Sequence, residues 1–67
     1  MEMASVLKNL REARHLTQEE LAGRVHVTRQ AVSRWELGET QPSTDTLRLL
    51  SREFLFRTVL FRPYFRN

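Results

Sequence analysis

The sequence predicts an all-α fold, a compact bundle of short helices. Three observations carry that reading. Apolar residues recur at helical spacing in successive short windows, and a hydroxyl side chain stands at the head of all but the first. The chain also holds no cysteine, so neither a disulfide framework nor a thiolate zinc site can be built. Its 67 residues make one small domain. A chain of that size buries only about 60% of its unfolded surface, so it depends on good packing or on pairing with a second copy.

The first helix spans Met3–Arg14, with Met3, Leu7 and Leu10 on one face. His15 stands where a left-handed residue commonly closes a helix, and histidine tolerates that conformation better than most. Thr17-Gln18-Glu19-Glu20 is a capping box and opens a second helix, Gln18–Val25, whose inner face is Leu21 and Val25. His26-Val27 leaves space only for a sharp turn. Thr28 is the N-cap of a third helix, Arg29–Leu37, which Gly38 ends. Glu39–Pro42 is a loop, and Ser43 caps a fourth helix with Leu47, Leu50 and Phe54 inward and Asp45 suited to the helix dipole. Residues 54–62 fit either a helix, with Thr58, Arg62 and Arg66 on the polar side, or an extended segment, since aromatic and β-branched residues dominate. Helix is the preferred of the two, and Pro63 should end it.

The formal net charge is +3 and the isoelectric point about 10.6, which favours an anionic partner. The charge is uneven. Residues 1–45 carry six basic and seven acidic side chains, a net of −1, whereas residues 46–67 carry five arginines against Glu53, a net of +4. Binding to an anion by the first part must therefore use a few well-placed side chains.

The second and third helices supply such a set. A steep crossing needs a small residue at the point of closest approach, and Ala22 meets that need. Val27 plugs the turn into the core, while Val32 and Trp35 form the inner face of the third helix, Trp35 as a core residue. The outer face then carries Arg29, Gln30, Ser33 and Arg34 in one stripe. Arginine pairs in bidentate fashion with guanine O6 and N7, and glutamine with adenine N6 and N7. An α-helix fits the major groove of B-DNA, so these four are candidate base contacts. Gln18 and Thr28, at the heads of the two helices, are candidate phosphate contacts.

The stretch Leu7-Lys-Asn-Leu-Arg11, Leu16-Thr-Gln-Glu-Glu-Leu-Ala22, Val27-Thr-Arg-Gln-Ala-Val-Ser-Arg-Trp-Glu36-Leu-Gly38, Gln41-Pro-Ser43 and Thr46-Leu47 resembles the phage repressor/Cro-type helix-turn-helix proteins, the XRE family. The resemblance covers residues 5–54. It implies a λ-repressor-like DNA-binding domain of four to five helices, with the reading helix in the major groove, phosphate contact from Gln18 and base contact from Arg29, Gln30 and Arg34. It further implies that Arg11 pairs with Glu36, locking the first helix to the third. Two departures stand out. His26 occupies a place where the family usually has glycine, and a left-handed non-glycine residue costs of order 1 kcal/mol. From Leu55 onward the sequence follows no family pattern.

These readings divide the chain into a helix-turn-helix domain, residues 1–54, and an aromatic and basic extension, residues 55–67. The extension carries more apolar side chains than so small a core can cover, which marks a partner surface. A symmetric homodimer interface through Phe56, Val59, Leu60, Phe61 and Tyr64 is expected. Folding back as a fifth helix is the alternative. The function expected is sequence-specific binding of double-stranded operator DNA by a dimeric transcriptional regulator, a repressor. An antitoxin or a protein-interaction module, docking its Phe-rich end on a partner protein, is the rival. An enzyme is not expected, for the chain lacks paired carboxylates at useful spacing, a nucleophile–base pair and a glycine-rich phosphate loop. No metal, cofactor or small-molecule ligand is implied. The longest apolar stretch, interrupted by Arg57, falls short of the ~20 residues that span a bilayer, so a cytoplasmic protein with no membrane partner is expected.

Overall fold

A computed structural model describes the backbone of residues 2–60 and the side chains of residues 2–55. Within them the chain forms four helices, α1 (Met3–Ala13), α2 (Gln18–Arg24), α3 (Arg29–Leu37) and α4 (Thr44–Leu60), and no strand. Local chemistry fixes where α2, α3 and α4 begin. The Thr17 hydroxyl accepts from the Glu20 N–H at 3.0 Å, and the Glu20 carboxylate accepts from the Thr17 N–H at 2.8 Å. The Thr28 hydroxyl accepts from the Ala31 N–H at 3.1 Å, and the Ser43 hydroxyl accepts from the Thr46 N–H at 3.2 Å. Each such cap stabilises its helix by about 1 kcal/mol.

Three helices end in the same way. His15 (φ 58°), His26 (φ 62°) and Gly38 (φ 79°) adopt left-handed backbone. One residue beyond each, an N–H donates back into the last turn: Leu16 to the Arg11 carbonyl at 3.1 Å, Val27 to Ala22 at 3.0 Å, and Glu39 to Arg34 at 2.9 Å. This closure satisfies carbonyls that a helix end otherwise leaves open. The two histidines bear a small conformational cost. What it achieves is placement, because the residue after each is turned inward, Leu16 fully and Val27 partly, against the shared core.

The third helix lies centrally, with α3 packed against both α2 and α1. Leu7, Leu16, Leu21, Ala22, Val25, Val32, Trp35, Leu50 and Phe54 form one continuous buried cluster. Ala22 is only 2% exposed, so the small residue does stand in the tight place. Trp35 is buried among these side chains and is a core residue.

At the far end, residues 54–60 take the helical alternative. α4 runs without a break from Thr44 past Phe54 to Leu60. No glycine or proline interrupts it before Pro63, and once a helix is nucleated each further residue adds a hydrogen bond at little cost. Of the expected dimer-contact residues, Phe56, Val59 and Leu60 lie outside the described side chains, and Phe61 and Tyr64 outside the described residues altogether. Among the described residues no helix is long and apolar enough to cross a membrane.

Two neighbouring positions in α2 should respond in opposite directions. Ala22→Leu overpacks the crossing and should destabilise the fold by about 1–3 kcal/mol. At Gly23 an added Cβ would meet nothing within 4 Å. Gly23→Ala should therefore stabilise by about 0.5–1 kcal/mol, the propensity gain of an exposed helical site. Urea unfolding midpoints of both variants measure the two shifts.

Candidate nucleic-acid interface

An α-helix advances about 100° per residue, which places Arg29, Ser33 and Leu37 along one line of α3 with Gln30 and Arg34 beside it. Burial follows that geometry. Arg29, Gln30 and Arg34 are exposed and Ser33 is half-buried, while Val32 and Trp35 on the opposite side are buried. The structure thus brings all four candidate base contacts to one outward row. The same row ends in Leu37, which is 68% exposed. It shares the i, i+4 spacing of Arg29 and Ser33, so the sequence pattern already held the signal. Thr28 is exposed at the head of the helix, its hydroxyl oxygen engaged by the Ala31 N–H.

Behind the row lies a hydrogen-bonded network that joins three helices. Arg11 Nε donates to Glu36 Oε2 at 2.7 Å and Arg11 Nη2 donates to Glu36 Oε1 at 3.0 Å. Arg11 Nη1 donates to the Leu16 carbonyl at 2.7 Å. Both side chains are largely withdrawn from water, Arg11 10% and Glu36 4% exposed. Two charges this deep are costly unless every hydrogen-bonding site is used, and here the fork is bidentate.

Gln18 belongs to the same network. Its Nε2 donates to Glu36 Oε1 at 3.0 Å, and its Oε1 accepts from Arg29 Nη1 at 3.4 Å. Sequence reasoning placed Gln18 at the surface as a phosphate contact and did not find these two bonds. They span 18 and 11 residues of chain, and no local pattern reports them.

Electrostatics agree with the geometry. Burial by itself would push the Glu36 carboxyl up, but hydrogen bonds from Arg11 and Gln18, with the charges of Arg11 and Lys8, outweigh it and hold the group below its ordinary value. The Glu36 hydrogen bond likewise raises Arg11. Elsewhere Arg24 Nη1 meets Glu53 Oε2 at 2.9 Å, tying α2 to α4. That pair is partly exposed and worth about 0–1 kcal/mol. Arg14 lies over the Phe54 ring, 5.2 Å from its centroid.

A family model described as helix-turn-helix matches residues 7–55, most of the chain. The chain belongs to the XRE-type helix-turn-helix family. Its λ-repressor-like all-α domain is a DNA-binding unit of the kind found in transcription regulators. Among curated proteins this helix-turn-helix chain is similar to the HTH-type transcriptional activator BcrR of Enterococcus faecalis, with 41% identity over 54 residues. The match covers 81% of this chain and 26% of that protein, so the chain spans about a quarter of that relative's length. No solved structure matches it.

The buried pair should make stability fall in acid. Glu36 is held below its ordinary 4.5, so its contribution is fully present above that pH and is lost as pH drops through the lower folded value. Glu36→Gln leaves Arg11 with only the exposed Glu12 carboxylate, 3.8 Å away, as counter-charge and should cost about 3 kcal/mol near neutrality. The variant should then lose less than wild type on acidification. Urea midpoints at about pH 7 and about pH 3 test this, and equal losses on acidification in both proteins would disprove it.

Proposed function

We propose that the chain recognises a specific double-stranded DNA sequence by laying α3 in the major groove. Arg29, Gln30, Ser33 and Arg34 meet base edges there, and Thr28 and Gln18 meet phosphates. The observation that carries this reading is the outward row itself: hydrogen-bonding side chains of the base-reading types, on a helix whose other side is locked into the core. The family supports DNA binding as the setting. With a net charge of −1 over residues 1–45, affinity rests on directed contacts more than on a broad field.

The reading extends to a homodimer on a two-fold symmetric site, its half-sites about one helical turn, roughly 34 Å, apart. It is motivated by the apolar extension, residues 55–67, beyond the helix-turn-helix unit. Repression is the proposed mode, because occluding a promoter requires only the DNA contact, whereas activation requires a second contact to the polymerase. The BcrR relative is named an activator. A reporter with the site overlapping the promoter, and another with it upstream, separates the two modes.

Selection of bound duplexes from a random pool returns the site and its symmetry together. On that site Arg34→Ala or Gln30→Ala should each weaken binding by about 1–3 kcal/mol and relax preference at one base pair. If Arg34→Ala left the selected sequence unchanged, base reading by that residue would be refuted. A site with no repeat would remove the dimer.

A further inference from the structure

We propose that Leu37 is a specificity-determining residue that reads the C5-methyl group of a thymine in the bound DNA. The proposal rests on α3 lying in the major groove and adds an apolar contact to the hydrogen-bonding ones.

At about 100° per residue, Ser33, Leu37, Gln30 and Arg34 lie about 40°, 80°, 100° and 140° round the helix from Arg29. Leu37 therefore sits near the mid-line of the outward row, between Ser33 and Gln30. The buried Val32 and Trp35 fall on the far side, at about 300° and 240°. Leu37 is 68% exposed, more open than Leu55 or Met3, the other large apolar side chains exposed among the described residues. A leucine directed away from the core on this face leaves apolar surface in water until a partner covers it.

The surroundings of Leu37 select the partner group. It belongs to the last turn of α3, where the helix dipole presents its negative end. Residues 37–41 include Glu39 but no lysine or arginine, and all but the glycine among them expose a side chain. That end of the helix repels a phosphate. On the base edges of the major groove the apolar group is the thymine methyl, and a leucine covers it without any charge. The methyl projects from C5 toward its own strand's backbone, near the groove wall. The N-terminal residues of a reading helix contact the base edges most deeply, so its last turn rises toward that wall. Arg29, Gln30 and Arg34 match donors and acceptors, and Leu37 adds an apolar feature that hydrogen bonds do not report.

In the duplex that the protein selects, each thymine is replaced singly by deoxyuridine, which lacks only the methyl. Wild type should bind about 3- to 10-fold more weakly when one particular thymine, with its symmetry mate where the site repeats, is so changed. Leu37→Ala should bind the thymine and uracil forms of that duplex equally. Leu37→Met, which keeps a long apolar side chain, should regain most of the difference. Both substitutions fall at an exposed position, so their urea midpoints should stay close to that of wild type. Equal sensitivity to the methyl in wild type and Leu37→Ala at every thymine would overturn the proposal. So would a loss of affinity in Leu37→Ala that is the same on all duplexes. If Gln30→Ala and Arg34→Ala relax their base pairs while Leu37→Ala alters no thymine, the groove placement stands and the methyl contact falls. If none of the three changes the selected sequence, the placement of α3 itself falls.

Discussion

The Arg11–Glu36 ion pair is the constraint on which the rest of the arrangement depends. α3 buries only Val32 and Trp35 on its inner face, and apolar packing is non-directional, so two such side chains tolerate some rotation of the helix about its axis. A bidentate fork does not. Arg11 reaches from α1 to Glu36 on α3 and, through Nη1, to the carbonyl of Leu16 just before α2. Three elements are thereby referred to one guanidinium. Its net gain in stability is limited by the desolvation of two charges. Its contribution to orientation is large, because a helix turned by even one position would break the fork.

That constraint also explains how a unit with little net charge can address a polyanion. Three of the six basic residues of the first 45 are engaged within the protein. Arg11 is committed to Glu36, Arg24 is paired with Glu53, and Arg14 is bonded to the Leu10 carbonyl and lies over Phe54. Arg29 and Arg34 remain on the outward row of α3. Few cations in fixed places give selective, geometry-dependent recognition, whereas many loosely placed ones would give tight binding to any duplex.

The helix ends serve the same purpose. A turn between α2 and α3 that wandered would move the whole row. Here it is held by the left-handed His26, by the Val27 N–H bonded to the Ala22 carbonyl, and by the Thr28 cap. Histidine at these positions carries a modest strain that glycine would avoid, but glycine would also give the unfolded chain more freedom to lose. The repeated use of one closure at His15, His26 and Gly38 makes the first three helices rigidly spaced segments of a single scaffold.

By itself the sequence determined the helices, their caps and their ends, because those depend on residues within four or five positions of each other. Thr17 with Glu20, Thr28 with Ala31, and the left-handed His15 are of this kind, and so is the outward stripe of α3, which follows from helical period alone. The family resemblance added the Arg11–Glu36 pair. Residues 54–60 were undetermined because local preferences for helix and strand nearly cancel there, and continuity with the helix before them tipped the balance. Only the tertiary structure decided which groups Gln18 bonds. Its two partners are brought to it by the crossing of α2 and α3, and which end of an amide faces inward is settled by the buried carboxylate it meets.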